Sequence, residues 1–92
     1  MTSATVGVTN ALGMHARAAA RFVHAATAFQ SQIRVSRAGH VVDGKSIMGI
    51  LLLAAARGTT LEIAADGPDE VQAVAELVHL IESGLGEDPC SA

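Results

Sequence analysis

The sequence predicts an α+β open-faced β-sandwich, in which three helices cover one face of a four-stranded antiparallel sheet. Segments that alternate apolar and polar residues, as half-buried strands do, interchange with amphipathic segments, and the connections between them are short. The predicted order is βαββαβα, without an internal repeat or an interdomain linker. The 92 residues, half of them hydrophobic, suffice for one domain, expected over 1–88, with a flexible tail at 89–92.

A strand and then a helix are predicted in the first third of the chain. Two valines alternate with polar or small residues over 5–9, which predicts a half-buried strand that ends in a turn at Asn10. Apolar residues recur at helical spacing over 16–29, with arginines and a histidine on another face. The apolar face of this helix consists of Ala18, Phe22, Ala25 and Phe29.

Three further strands are predicted over 32–37, 40–42 and 60–65. The dipeptide Ala38-Gly39 separates the first two, so a hairpin is their simplest connection. In the third, leucine and isoleucine alternate with threonine and glutamate, as in a strand with one buried face.

Two more helices are predicted, one of them short. Ser46 precedes the apolar run 47–53 and can cap a helix there, although Gly49 weakens that helix and the run alone could equally be a buried strand; we favour the helix. The last helix begins after Gly67-Pro68-Asp69-Glu70 and ends near Gly84. Its predicted apolar stripe is Val71, Val74, Val78 and Ile81.

The segment 13–17, Gly-Met-His-Ala-Arg, places a histidine at the start of the first helix. A neutral imidazole has a ring nitrogen that can attack phosphorus and later release the phosphoryl group. The unpaired N–H groups and the dipole of a helix that begins at Ala16 would face the phosphate, and Arg17 could add a charge-assisted hydrogen bond. Gly13 would permit the sharp turn. The alternative is that His15 only caps the helix or lies at the surface.

Composition argues against several classes of function. The net charge is −3 and the chain has no Tyr or Trp. It therefore lacks the basic surface that would bind phosphates and the large aromatic side chains on which nucleic-acid bases stack. The longest apolar stretch, 50–56, is too short to cross a bilayer, and no signal peptide is recognisable. The single Cys90 allows no disulfide framework. We therefore expect a cytoplasmic protein without membrane insertion.

Two motifs resemble those of the histidine-containing phosphocarrier proteins, HPr, of the bacterial phosphoenolpyruvate-dependent phosphotransferase system. Residues 10–17, Asn-Ala-Leu-Gly-Met-His-Ala-Arg, resemble the phosphorylation-site signature of that family, and residues 44–49, Gly-Lys-Ser-Ile-Met-Gly, resemble its second signature. The resemblance extends over 5–88. The wording of 10–15 and the ending at 83–88 also resemble the nitrogen-related branch of the family, whereas 44–49 is closer to the sugar branch.

The resemblance implies a role for three of these residues. His15 would accept a phosphoryl group from phosphorylated enzyme I and pass it to IIA domains or proteins, for sugar uptake or regulation. Arg17 would bind the phosphate, and Ser46 is the position that a dedicated kinase phosphorylates in some lineages. Such a carrier is not an enzyme with its own turnover, needs no cofactor and is expected to be a monomer. Ala18 stands where the family usually has proline, which removes a preset φ angle but no functional group.

A docking surface can be proposed around the same segments. Its apolar centre would consist of Ile47, Met48 and Leu51, each of which could equally be ordinary core. Arg21 and His24 lie on the same side of the first helix as Arg17, where they could extend this surface or simply form a solvated face. Ser46 has two compatible interpretations as well, a helix N-cap and a regulatory phosphosite whose charge would repel enzyme I.

Three other functions are weaker. Residues 39–46 match the pattern Gly-x-x-x-x-Gly-Lys-Ser of a nucleotide-binding P-loop, but Val41 and Val42 look like strand inside the supposed loop. The histidines lack the spacing of zinc ligands, and two of them are expected to face solvent, His40 beside the hairpin turn and His79 on the last helix. A regulatory module of the same fold that no longer transfers phosphate is the third, and His15 argues against it.

Overall fold

The structure is a computed structural model that describes residues 1–9, 13–53 and 56–85. Its elements follow the predicted order βαββαβα. They are β1 (Thr2–Gly7), α1 (Ala16–Thr27), β2 (Gln32–Arg37), β3 (His40–Asp43), α2 (Ile47–Leu52), β4 (Thr60–Asp66) and α3 (Glu70–Glu82). The strands form one antiparallel sheet in the order β1-β4-β2-β3. The α+β open-faced sandwich is therefore confirmed, whereas the predicted turn at Asn10, Cys90 and the tail 89–92 lie outside the described residues.

The core lies between the sheet and the helices. Alternate strand residues point inward, and four of them form one row across all four strands. This row is Ala4, Ile63, Val35 and Val42. Phe22 of α1 is fully buried in the same core, and Phe29, the only other aromatic residue of the chain, is buried as well. Within the described residues, no helix has the length and hydrophobicity needed to cross a membrane.

The first strand is displaced toward the N-terminus from its predicted position at 5–9. It pairs with β4 from Thr2 to Gly7, so the partner strand sets its limits. Val8 is nevertheless buried, and its backbone continues the pairing: its N–H donates to Thr59 O and its C=O accepts from Gly58 N, at 2.9 Å each. The apolar alternation was therefore predicted correctly, and the strand boundaries were wrong.

The hairpin and the short helix are confirmed. Ala38 and Gly39 both have positive φ, at 51° and 87°, which is the left-handed geometry of the tightest hairpin turns. The Ser46 hydroxyl accepts a hydrogen bond from the Gly49 N–H at 3.1 Å and so caps α2. A Cβ on Gly49 would lie 3.2 Å from the Cβ of Val42, so this glycine lets α2 approach β3 closely.

The last helix has its predicted extent but partly the wrong apolar face. Val71 is 68% exposed, and the buried face instead consists of Ala73, Val74, Leu77 and Ile81. Because the helix is apolar on most sides, its periodicity does not identify a single face. Gly84, with φ of 88°, ends the helix as predicted.

Each helix has a basic side chain from another part of the fold bound near its C-terminal end. Lys45 Nζ donates to the backbone oxygen of Phe29, just after α1, at 2.8 Å. At each of the other two helices, an arginine donates to a backbone oxygen just after the helix. Arg37 donates to Leu53 O after α2 at 2.7 Å. The guanidinium of Arg21 donates to Leu85 O after α3 at 3.1 Å. These are the ends where carbonyls lack helical partners and the dipole is negative.

Two acids before and within the first turn of α3 bind distant segments. Asp69 accepts hydrogen bonds from the N–H groups of Gln30 and Ser31 at 2.9 Å each and from the Ser31 hydroxyl. The Ser31 hydroxyl first, and then the Gln30 N–H, lower the pKa of Asp69. Glu70 binds the Thr2 hydroxyl at 2.6 Å and the N-terminal ammonium at 3.1 Å. These bonds fasten the start of α3 to the loop after α1 and to β1.

Candidate functional site

His15 lies at the N-cap of α1, as the sequence predicts. Gly13 has φ of 66°, so the turn before the helix uses a backbone geometry that favours glycine. The half-buried His15 has extended backbone angles, and its C=O accepts the first helical hydrogen bond, from Ala19 N at 2.8 Å. Its Nδ1 accepts a hydrogen bond from Arg17 N at 3.3 Å. The Nδ1 side of the imidazole is therefore directed at the backbone of the first turn of the helix.

This geometry makes His15 a helix cap and also presents a ring nitrogen where an anion is favoured. The first turn of α1 has no acidic side chain that would compete with an incoming phosphate. Arg17 is exposed in the same turn, so its guanidinium can reach an anion held there. The cap uses the Nδ1 lone pair, which is the same lone pair that a phosphoryl acceptor at this nitrogen would need.

Arg17, Arg21 and His24 are brought together on one exposed side of α1. All three line a single groove, which is also lined by Ala20, Ala25 and Leu80. The prediction that the three share a side of the helix is confirmed. Their role as a partner surface stays a prediction.

The apolar residues of α2 that were proposed for docking all lie at the surface. Ile47 is 45% exposed, Met48 71% and Leu51 36%, so the alternative that they are ordinary core is wrong. Sequence reasoning missed Leu52, which is 76% exposed beside them, because an unbroken apolar run does not show which residues point outward. Exposed apolar residues clustered on one short helix are typical of a surface that binds a protein.

Ser46 is half-buried and holds the start of this apolar helix. Its hydroxyl accepts from Gly49 N, and its C=O accepts from Ile50 N at 3.0 Å. Its own N–H bonds the C=O of Asp43 at 3.1 Å. A phosphate on this hydroxyl would therefore place its charge at the edge of the exposed apolar surface of α2.

The structure does not contain a nucleotide-binding loop at 39–46. β3 occupies half of this segment and is an antiparallel edge strand, and α2 has only six residues. Lys45, which would have to reach a phosphate, donates to Phe29 O instead. His40 and His79 are exposed, as predicted, and within 1–9, 13–53 and 56–85 no three His, Cys, Asp or Glu side chains are grouped so that they could hold a metal ion.

Comparisons with known proteins agree with the fold and identify a family. A family model described as the PTS HPr component phosphorylation site matches residues 2–83. The phosphocarrier protein HPr of Cupriavidus necator is 48% identical over 87% of this chain and 90% of its own length. That of Neisseria meningitidis serogroup A is 42% identical over 95% and 98%. A crystal structure of HPr from Thermoanaerobacter tengcongensis matches with a TM-score of 0.91 and 44% identity, over 96% of this chain and 99% of that one. The chain therefore belongs to the HPr family, the phosphocarrier proteins of the phosphotransferase system.

Proposed function

We propose that this phosphocarrier accepts a phosphoryl group on His15 from phosphorylated enzyme I and passes it to IIA domains or proteins. The observation that supports this best is the position of His15 at the N-cap of α1, with Nδ1 directed at Arg17 N. A nucleophile is there combined with backbone N–H groups and a dipole that favour a bound anion.

The same contact suggests Nδ1 as the nucleophile. Its lone pair would attack phosphorus while the bond from phosphorus to the donor atom of enzyme I breaks, and transfer to IIA would reverse the step. As the N–P bond forms, the Arg17 N–H would lose Nδ1 as its acceptor and find a phosphate oxygen instead. The Arg17 guanidinium would bind a second oxygen, so the phosphoryl group would be held without a metal or a cofactor.

The exposed apolar surface of α2 is proposed to dock both partners. Ile47, Met48 and Leu51 can be desolvated against a complementary apolar surface, and Met48 can adapt to partners of different shape. Arg17, Arg21 and His24 of α1 would face acidic groups of the partner. The carrier would thus act in the cytoplasm as a protein substrate of the relay, without turnover of its own.

Ser46 is proposed as the regulatory phosphosite. A phosphate at this N-cap is compatible with the helix dipole, so the domain would stay folded. Its charge would have to be desolvated when the neighbouring apolar surface of α2 docks, and this would oppose transfer from enzyme I.

The test is incubation with phosphoenolpyruvate, magnesium and a competent enzyme I, followed by intact-mass analysis before and after acid treatment. Wild type should gain one acid-labile phosphate, and His15→Ala should gain none. His40→Ala is the matched control, because His40 is exposed on the hairpin, and it should be phosphorylated like wild type. Absence of transfer to folded wild type, or a stable phosphate on His15→Ala, would contradict the proposal.

A further inference from the structure

β1 is one edge of the sheet, and its outer side faces no other strand of the described chain. The hydrogen bonds of Val8 show which backbone groups turn outward, because its N–H and C=O bond Thr59 and Gly58 on the β4 side. The N–H and C=O groups of a strand change sides at every residue, so every second residue of β1 directs both groups away from β4. The outward-directed residues are Ser3, Thr5 and Gly7. All three are exposed, so their backbone groups can pair with a further strand.

This edge lacks the features that normally keep the edge of a sheet from pairing. The strand Thr2–Gly7 contains no charged residue and no proline. The opposite edge of the sheet, β3, is shorter and carries a charge. It has four residues, and the C=O of Asp43 already accepts a hydrogen bond from Ser46 N at 3.1 Å. β1 is therefore the edge that is more open to another strand.

α3 lies along β1 and extends this edge above the sheet. Glu70 binds the Thr2 hydroxyl at the beginning of the strand. The Thr9 hydroxyl, beyond the end of the strand, donates to Ile81 O at 3.3 Å. Helix and strand therefore run side by side in the same direction.

An apolar stripe runs along the side of α3 that faces away from α1. Its members are spaced at i, i+4 and i+7 and are Val71, Ala75 and Val78. Leu80, on the opposite side of the helix, lines a groove together with residues of α1. Val71 is 68% exposed and Ala75 is exposed as well, whereas Val78 is partly buried. The stripe thus leaves apolar surface uncovered beside the outer edge of β1.

A second copy of the chain matches this edge in one register. Two antiparallel β1 strands related by a two-fold axis at Thr5 place Thr5 opposite Thr5 and Ser3 opposite Gly7. Each pair joins residues whose N–H and C=O groups turn outward, so each pair can exchange two hydrogen bonds. No charged side chain opposes another in this register. Because the axis is perpendicular to the sheet, both copies keep their helices on the same face.

The same axis brings the two α3 helices together as antiparallel neighbours. Paired strands lie about 4.8 Å apart and packed helices about 8–10 Å apart, so helices that each cover β1 and β4 meet side by side. Val71 of one copy would then contact Val78 of the other. The small side chain of Ala75, near the axis, would permit close approach of the helices.

We propose that this chain forms a weak two-fold dimer through its β1 edges, in which the two sheets become continuous and the two α3 stripes pack together. An extended peptide of another protein could pair with the edge but would leave Val71 and Val78 uncovered. An occupant that covers both features carries a strand edge and an apolar helix stripe in the same arrangement, and a second copy has them by symmetry.

The dimer is independent of the proposed phosphoryl transfer. The α2 surface proposed for the relay lies against β3 at the other edge of the sheet, where Gly49 approaches Val42 closely. That surface therefore stays accessible in the dimer, and the contact requires no phosphate on His15. The monomer expected from the family resemblance is then the state at low concentration.

Sedimentation velocity and amide NMR spectra of the full, unphosphorylated chain test the dimer. The contact is smaller than a standard protein interface, so we expect a Kd on the order of 0.1 mM and a rise from monomer to dimer between about 10 μM and about 1 mM. The amide protons of Ser3, Thr5 and Gly7 should shift downfield with concentration as they become hydrogen-bonded, whereas that of Val41 on β3 should not. A chain that stays monomeric at the highest concentration, or shifts confined to β3, would overturn the proposal.

Variants then identify the edge. Thr5→Lys places two like charges opposite each other at the axis, and Val71→Glu places a charge in the apolar stripe. Both residues are exposed, so thermal unfolding should show intact monomers, while dimerisation should weaken at least about tenfold in each variant. Val41→Lys, the matched change at the exposed residue of the other edge, should leave the Kd unchanged.

Two further results would contradict the proposal. One is dimerisation that Thr5→Lys and Val71→Glu leave unchanged, or that Val41→Lys weakens as much as they do. The other is a dimer that does not dissociate on dilution, because such a dimer would indicate exchange of strands between the copies instead of pairing of their edges.

Discussion

Replacing Ser46 by alanine or by aspartate separates its capping role from its proposed regulatory role. The hydroxyl accepts one hydrogen bond, from Gly49 N, at the start of a six-residue helix. Loss of such a cap costs about 1 kcal/mol, whereas aspartate caps as well as serine does and its charge suits a helix N-terminus. We therefore expect Ser46→Ala to be less stable than wild type by about 1 kcal/mol and Ser46→Asp to be close to wild type.

Transfer from enzyme I should follow the opposite order. Ser46→Ala leaves the exposed apolar surface of α2 uncharged, so its transfer rate should stay near that of wild type. Ser46→Asp introduces a charge that docking has to desolvate, and its rate should fall at least about tenfold, equivalent to about 1.4 kcal/mol.

Urea unfolding and single-turnover transfer of phosphate from enzyme I measure the two effects on the same three proteins. With the slope expected of a small domain, a loss of 1 kcal/mol lowers the urea midpoint by roughly 0.5–1 M. The reasoning would be refuted if Ser46→Ala lost transfer as Ser46→Asp did, since stability of α2 rather than charge would then limit docking. Equal transfer rates for Ser46→Asp and wild type would remove the basis for repulsion.

Three further changes test the site and the packing. Arg17→Ala should slow single-turnover transfer from enzyme I about 10–100-fold, while thermal unfolding stays within about 0.5 kcal/mol of wild type, because the side chain is exposed. The fold lowers the pKa of Asp69, so the ionised carboxylate stabilises the folded state at pH values above its ordinary pKa of 3.8, and this stability is lost as the pH falls through the lower pKa of the folded state. Asp69→Asn should therefore be less stable than wild type at pH 7. In urea unfolding from neutral to acid pH, the variant should also lose less stability than wild type does. Gly44→Ala would place a Cβ 2.5 Å from Ile33 Cγ2 and should cost about 1–3 kcal/mol in urea unfolding, whereas the control Gly7→Ala, with nothing within 4 Å, should change it by about 0.5 kcal/mol or less.

Local signals in the sequence were sufficient for most of the elements. The Ala38-Gly39 turn joins strands that are neighbours in the chain, so its residues alone indicate the hairpin. At α2 the apolar run was compatible with both a helix and a strand, and the capping residue Ser46 correctly indicated the helix. The position of His15 at a helix start likewise follows from the residues beside it.

Features that depend on distant partners were not predictable in the same way. The limits of β1 are set by its register with β4, some sixty residues away. The bonds of Asp69 to the loop at 30–31 join residues 38 or 39 positions apart, so the sequence showed only an acid near a helix start. Val71 was assigned to the wrong side of α3 because apolar residues on most sides of that helix satisfy more than one spacing.

The basic residues at the helix ends bear on how this protein is to be mapped by alanine scanning. Arg21, Arg37 and Lys45 make up half of the six Lys and Arg of the chain, and each binds a carbonyl beyond a helix end. Truncating one of them leaves that carbonyl without its cation and loosens the join between two elements. A loss of partner binding in such a variant therefore reports altered architecture as well as a missing contact. Only variants whose melting is unchanged delimit the true footprint of a partner.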